Sequence, residues 1–250
     1  MNAREIYDPD NRWRLRHPAE KAVFAGGMLL LSVAAPSGVV LGVVLATVTA
    51  TTLLLAAVSW RKFAGGMAAP FGFLLVGAIP VLVASGVNPD TQEAEWRLDV
   101  AAAGHLVLRG LTATACLVSF ATTTSLPEFL GLLRAIRCPE VLTEWMLLTY
   151  RFSQSLLLTV ASAHLAQQLR LGLGSPRARV RAAGLLGANL LPRSFEKAKR
   201  LERGLECRGY DGQLRTLSPR RRVSWPVLGL VVAVQILLAA WAVAAGRGNL

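Results

Sequence analysis

From Gly38 to Val58, twenty-one consecutive residues carry no charge, and from Val223 to Ala245 twenty-three more do the same. A span of about 20 apolar residues is what an α-helix needs to cross the ~30 Å hydrocarbon core of a bilayer. In lipid such a segment has to satisfy its own backbone hydrogen bonds, which leaves helix or closed barrel, and unbroken apolar runs select helix. Three further runs have the same character: Ala22 to Ala35, Phe71 to Val87 and Val100 to Thr122. Pro36-Ser37 reads as a tight turn between the first two. The first run is short for a span and is expected to borrow Pro18 to Lys21, or to be tilted or partial. Pro80 is expected as a tolerated kink. The fold expected is therefore all-α, an integral membrane protein of about five transmembrane helices.

Composition supports this. Hydrophobic residues make up 53% of the 250 and charged residues 17%, against about a quarter in soluble domains. The charges are one-sided, with a formal net of +12. A nucleic-acid binder would explain the basic excess but not the long apolar runs. Cys116, Cys138 and Cys207 have neither metal-ligand spacing nor a disulfide framework. No cleavable signal peptide is expected, because the first 21 residues are polar and include Asp8, Asp10 and Glu20.

The loop charges set an orientation. Arg61 and Lys62 follow the second run, whereas Asn88 to Asp99 carries Asp90, Glu93, Glu95 and Asp99 against one Arg97. Thr124 to Arg222 holds 17 Lys/Arg and 7 Asp/Glu, a net of +10. With basic segments inside, the amino terminus is inside, Asn88 to Asp99 outside, Thr124 to Arg222 inside and the carboxyl terminus outside. The expected organisation is a polar lead with membrane helices 1–4 over residues 1–123, a cytoplasmic helical segment over 124–222, and a last membrane helix over 223–250.

Three helices are expected in the basic segment. Ser125-Leu126-Pro127-Glu128 has a proline in the first turn and an acid at the positive end of the dipole, a helix start; this short helix stops at Arg137-Cys138-Pro139. A second runs from Pro139-Glu140 to about Arg170 with no internal Gly or Pro, a rod of ~45 Å, too polar for lipid with Glu144, Arg151, Gln154, His164, Gln167 and Gln168. Gly172 to Pro176 ends it. A third runs from about Ala178 to Cys207, with Pro192 as a kink or break. Its later half sets Leu191, Phe195, Ala198, Leu201 and Leu205 on one stripe. Gly209 suits a left-handed cap, and Arg208 sits where a cation suits the dipole. Both long helices thus end in an arginine, Leu169-Arg170-Leu171 and Cys207-Arg208-Gly209, which by itself describes ordinary helix C-caps.

These residues resemble the transmembrane (T) component of energy-coupling factor (ECF) transporters, especially CbiQ-like members of cobalt and nickel uptake systems. The similarity covers most of the chain. It is carried by His17-Pro18-Ala19-Glu20-Lys21 before the first span, by Arg109 and Ala121-Thr122-Thr123-Thr124 in and after the fourth, by Leu130 to Pro139, and by Tyr150-Arg151-Phe152. The most specific stretch is Arg193-Ser194-Phe195-Glu196-Lys197-Ala198 leading to Glu206-Cys207-Arg208-Gly209-Tyr210-Asp211-Gly212. The family's two signature triplets centre on Arg, often as Ala-Arg-Gly; here Cys207 replaces one Ala, and Leu169 and Leu171 flank the other Arg. The resemblance implies a non-catalytic subunit of an importer in the bacterial inner membrane. Its implied partners are two ATPase subunits, a substrate-binding membrane subunit with a small accessory membrane subunit, and the lipid bilayer. The coupling residues it implies are Arg170 and Arg208, docking against carboxylates of the ATPases, with Leu169, Leu171, Cys207, Gly209 and Tyr210 around them. Arginine suits this because its planar fork binds a carboxylate bidentately and stays charged. Cobalt is the implied substrate, with nickel or a vitamin as alternatives.

Other signals are weaker. No phosphate loop occurs, so no ATP hydrolysis by this chain is expected; Gly172 to Gly174 reads as a helix break. His17, His105 and His164 are far apart, so no metal site and no cofactor is expected. His105 and Arg109 lie four apart in the fourth span, an intramembrane polar pair facing the bundle or a partner and satisfied by backbone carbonyls, or else a substrate pathway. Gly38 to Gly42 is a small-xxx-small pattern that permits close packing. Two other classes remain. An integral-membrane enzyme of lipid metabolism would recruit Glu140, Glu144, Tyr150 and His164; a membrane-anchored nucleic-acid binder would use Arg177, Arg179, Arg181 and Arg220 to Arg222. These arginines more often mark loop flanks or anionic lipid contacts, and no nucleic-acid partner is expected. The orientation is testable by cysteine labelling of sealed cells. An impermeant reagent should reach a probe at Thr91 or Gln92 and miss one at Ser175 or Gln213; labelling of Ser175 from outside overturns the topology.

Overall fold

The computed structural model describes residues 13, 16–35, 37–82, 85–87, 94–96, 100–170, 174–209 and 224–247, with side chains described at all but 85–87, 94–96 and 245–247. The architecture is all-α apart from one small ladder. Among the described residues four helices are long and apolar enough to cross a membrane, and the protein is a multi-pass membrane protein. By contact the chain forms two units, residues 1–129 with 219–250 and residues 130–218.

In the first unit, α1 (Pro18–Ala34) starts on Pro18, with His17 Nδ1 accepting from the Ala19 N–H at 3.2 Å. Proline's missing N–H is harmless at a first helical position, where that donor has no partner anyway. At 17 residues α1 is only about 26 Å long, and it does take in Pro18 to Lys21. α2 (Gly38–Ala50) runs into a π turn, Thr51–Leu55. α3 (Trp60–Leu82) is followed by β1 (Ser85–Val87) and β2 (Ala94–Trp96), an antiparallel pair with Gly86 opposite Glu95. α4 (Val100–Thr123) and α8 (Trp225–Arg247) complete the set.

The expected third span of Phe71 to Val87 is therefore corrected. The helix begins eleven residues earlier, carries Arg61 and Lys62 in its first turn, includes Pro70 as well as Pro80, and stops at Leu82. Charges at a helix end do not preclude membrane insertion, since long basic side chains reach back toward the interface.

α4 is the central helix, packing on α1, α2 and α3, while α8 packs on α1. Met28, Val40, Leu41, Val44, Val48, Ala115 and Cys116 form a fully buried seam. Polar contacts cross-link these helices. Thr52 Oγ1 lies 2.7 Å from Ser119 Oγ, pinning the end of α2 to α4. Gln235 of α8 donates to the carbonyls of Val23 and Phe24, 3.0 Å each, and lies so close to Gly27 that a Cβ there would overlap its amide. Close packing thus uses Gly27, and also Gly66 against Val118. The expected Gly38–Gly42 pair is not pressed in this way: among the described residues a Cβ added at Gly42 would meet nothing of another element within 4 Å, and one at Gly38 would meet Leu108 at an ordinary 3.9 Å.

One end of this unit is held by charge. Lys21, 2% exposed, donates from Nζ to the Thr123 carbonyl at 2.8 Å and to Glu128 Oε2 at 3.2 Å. Its neighbour Glu20, also buried, accepts from the Ser224 N–H at 2.8 Å and lies 3.8 Å from Arg16. Adjacent residues of α1 thereby fix the end of α4, the first turn of α5 and the start of α8.

The second unit contains most of α5 (Leu126–Ala135), α6 (Glu140–Leu169) and α7 (Pro176–Glu206). α5 ends at Arg137, with φ +62°; the Arg137 N–H donates to the Arg134 carbonyl and the Cys138 N–H to that of Leu133. This is the paired-bond C-cap usually built on glycine. α6 is uninterrupted for 30 residues, as its sequence predicts. α7 opens on Ser175, whose Oγ accepts from the Ala178 N–H, and continues through Pro192 without the break entertained from sequence.

Removing the buried Lys21 ammonium takes a charge-assisted contact from both the Glu128 carboxylate and the Thr123 carbonyl. Lys21→Ala should cost about 3 kcal/mol and lower the melting temperature of the detergent-solubilised protein, whereas Arg200→Ala, which breaks the exposed Arg200–Glu196 pair, should cost well under about 1 kcal/mol. Equal melting temperatures for Lys21→Ala and the parent would remove the pair from any structural role.

Candidate functional site

α6 and α7 run antiparallel. Gln167 Nε2 donates to the Ala182 carbonyl at 3.0 Å, and farther along Lys197 Nζ bonds Ser155 Oγ and sits 5.7 Å from the centre of the Phe152 ring. Pairing 167 with 182 and 155 with 197 sets the register. It brings Arg170 beside the beginning of α7 and leaves Arg208 just past the far end of α7. From Ala182 to Glu206 the helix rises about 36 Å. The two arginines therefore occupy opposite ends of one hairpin and cannot share a ligand.

Their surroundings are alike. Arg170 is the C-cap of α6, its N–H bonding the Ala166 carbonyl at 3.2 Å, and it is exposed together with Leu169. α7 ends on an α-helical bond from Cys207 to Arg203 followed by two tightening bonds, Arg208 to Leu205 and Gly209 to Glu206, each 3.0 Å. Gly209 has φ +72°, the left-handed cap expected from sequence, and Cys207 and Arg208 are exposed. Neither guanidinium has an ion-pair or side-chain hydrogen-bond partner among the described residues. Leu171 and Tyr210 lie outside the described residues. On the stripe of α7, Leu191, Phe195, Ala198 and Leu201 are exposed and Leu205 half-buried.

His105 and Arg109 are half-buried on α4. The His105 Nε2 is buried with no hydrogen-bond partner among the described residues, so the expected carbonyl partner is not seen there. The residues an enzyme would recruit do not converge: Glu140 and His164 lie 24 residues apart on one helix, about 36 Å, while Glu144 is buried with its own partners. Arg177, Arg179 and Arg181 fill the first turns of α7; Arg220 to Arg222 are outside the described residues. Sequence reasoning missed Lys21 and Glu20 as a joint. The only signal was the Pro18-Ala19-Glu20-Lys21 string itself, in which a lysine at the head of an apolar helix reads as a flanking charge.

The family described as CbiQ, cobalt transport protein, matches residues 10–219, which take in both hairpin ends and every helix except α8. The chain belongs to this family. It is 39% identical over 231 residues to the cobalt transport protein CbiQ of Rhodobacter capsulatus, covering 92% of this chain and 93% of that one. With the protein of the same name from Salmonella typhimurium the identity is 28% over 212 residues, 81% of this chain and 94% of the other. A putative fused cobalt transport protein CbiMQ of Methanocorpusculum labreanum is 26% identical over 172 residues, 64% of this chain but 28% of its own length. The protein is thus a membrane component of cobalt transport. Among the described residues no three His, Cys, Asp or Glu side chains group as metal ligands. Calorimetry of the isolated chain with cobalt should accordingly show no micromolar site, and a saturable micromolar isotherm would contradict this expectation.

Proposed function

We propose that this chain is the energy-coupling transmembrane subunit of an ECF-type importer for cobalt ions, transmitting motion from an ATPase pair to a substrate-binding membrane subunit. It sits in the cytoplasmic membrane with its amino terminus and the 124–222 segment inside and its carboxyl terminus outside, the arrangement that the positive-inside rule favours. The chain itself is non-catalytic, and ATP hydrolysis belongs to its partners. The fused relative supports a reading in which a chain of this kind works joined to another transport component.

The observation that carries the proposal is the pair of exposed arginines, without a side-chain partner among the described residues, at opposite ends of one hairpin. Two separate ATPases need two separate attachment points, and a separation of about 36 Å along α7 supplies them. Each guanidinium takes a carboxylate of one ATPase, with Leu169 and Leu171 packing at one end and Cys207, Gly209 and Tyr210 at the other. Closure of the ATPases on ATP draws the two ends together or apart, and the hairpin passes this on as a rigid-body or shear displacement. Nickel or a vitamin in place of cobalt would leave this coupling role unchanged.

Arg208→Ala and Arg170→Ala should each weaken attachment of the ATPase pair or uncouple hydrolysis from uptake. Loss of a buried charge partner costs roughly 2–5 kcal/mol, at least about 30-fold in affinity. Membrane insertion should be unaffected, and Lys at either position should rescue only partly. Arg208 should matter more than Arg170, while Arg220→Ala and Arg221→Ala should do much less. The measurements are pull-down of the ATPases and cobalt uptake; full assembly with full uptake in both Arg→Ala variants would sink the assignment.

A further inference from the structure

α5 belongs to both compact units: Leu126 to Phe129 fall in the first and Leu130 to Ala135 in the second. It has ten residues, a length of about 15 Å, and forms no extensive helix-to-helix face among the described residues. A few side chains hold it instead, and they divide at the same point as the units. In its first turn Glu128 accepts from Lys21 Nζ of α1 at 3.2 Å, and the Phe129 ring meets that of Phe120 on α4 edge-on, 6.0 Å between centres. With the lysine 2% exposed, salt screens this pair far less than a surface one, and breaking it is costly.

The last turn is tied to α6. Arg134 donates from Nε to Thr143 Oγ1 at 3.2 Å, and the fully buried Thr143 donates in turn to the Glu140 carbonyl at 2.8 Å. The two backbone bonds of the Arg137 cap close the corner between α5 and α6. Glu128 and Arg134 stand six residues apart, about 9 Å along the axis. One short helix thus carries a contact to α1 at one end and a contact to α6 at the other. Continuous backbone bonding makes such a helix pass a displacement on rather than absorb it.

We infer that α5 is the linkage by which displacement of the α6–α7 hairpin reaches α1 and α4, with Glu128 and Arg134 as its two positioning residues. This rests on the coupling role proposed above and names the route inside the chain by which that role is exercised. Other polar ties of the first unit differ in kind. Thr52 with Ser119, and Gln235 with Val23 and Phe24, join helices wholly inside that unit. Lys21 with Glu128 lands on the helix that both units share.

The test uses the full transporter complex in proteoliposomes and reads cobalt uptake per ATP hydrolysed. Glu128→Gln keeps the side chain's shape and an acceptor for Lys21; Arg134→Met keeps an aliphatic stem and removes the donor. Each should leave the ATPase pair bound and hydrolysing while the ratio falls about fivefold or more. Gln235→Met, which cuts the tie between α8 and α1, should lower the melting temperature yet hold the ratio within about twofold of the parent. That control separates transmission from stability. Because the two contacts act in series, Glu128→Gln with Arg134→Met should fall no more than about twofold below the worse single variant. If both single variants keep the parent's ratio while Arg208→Ala still weakens ATPase attachment or uptake, the inference is wrong and the coupling role stands. An equal loss of ratio in Gln235→Met also overturns it, since the loss then follows stability. So does a double variant whose effects multiply, which means two independent routes. A parent chain that retains no ATPase pair removes the coupling role and the inference together.

Discussion

The structure hangs on a lysine that is almost out of contact with solvent. Lys21 enters the first unit at the head of α1 and spends two of its three N–H donors on the Thr123 carbonyl and the Glu128 carboxylate. Each contact answers a specific deficit. Thr123 ends α4, where carbonyls lack intrahelical partners, and Glu128 sits in the first turn of α5, where an anion suits the dipole. Glu20, next in the chain, takes a backbone N–H at the opening of α8, another group left over by a helix end. Two neighbouring side chains thus tie three helix termini together, meeting one backbone group at the end of α4, one at the start of α8 and the carboxylate in the first turn of α5.

The second unit is built on the opposite plan. Its long helices touch through a few polar contacts, Gln167 with Ala182 and Lys197 with Ser155 and Phe152, and leave much apolar and cationic surface open. A hairpin of this kind holds its own shape through the continuous backbone bonding of two 30-residue helices. Its ends are therefore defined positions on a stiff body, which is what attachment to two partners requires. Pro192 does not weaken this. α7 passes through it, and two carbonyls in the turns before it receive side-chain donors, Asn189 to Leu185 and Ser194 to Leu190.

Much of this was legible in the residues. The spans were readable because a bilayer filters sequence by length and charge alone, and α6 because thirty residues without Gly or Pro have no local reason to stop. Gly209 was readable because a left-handed residue after an amphipathic helix wants no Cβ. Where the reading erred, it gave local rules more weight than they carry: Arg61, Lys62 and Pro70 were read as outside a helix that simply includes them. Arg137 could not be foreseen as the left-handed cap of α5, because the preference there is for glycine and the two backbone bonds at Arg134 and Leu133 outweigh it.

The sequence by itself determined the succession of the described helices, their membrane character and the placing of two arginines at helix ends, since all of these depend on neighbours within a few turns. Which glycines are pressed by another helix, which threonine meets Ser119 and which acid meets Lys21 were decided only by the tertiary structure. Lys21 and Glu128 lie 107 residues apart, and Glu20 and Ser224 lie 204 apart. Over such separations no periodicity or propensity operates. The choice belongs to desolvation, which makes a buried charge intolerable until the fold brings its partner within hydrogen-bonding distance.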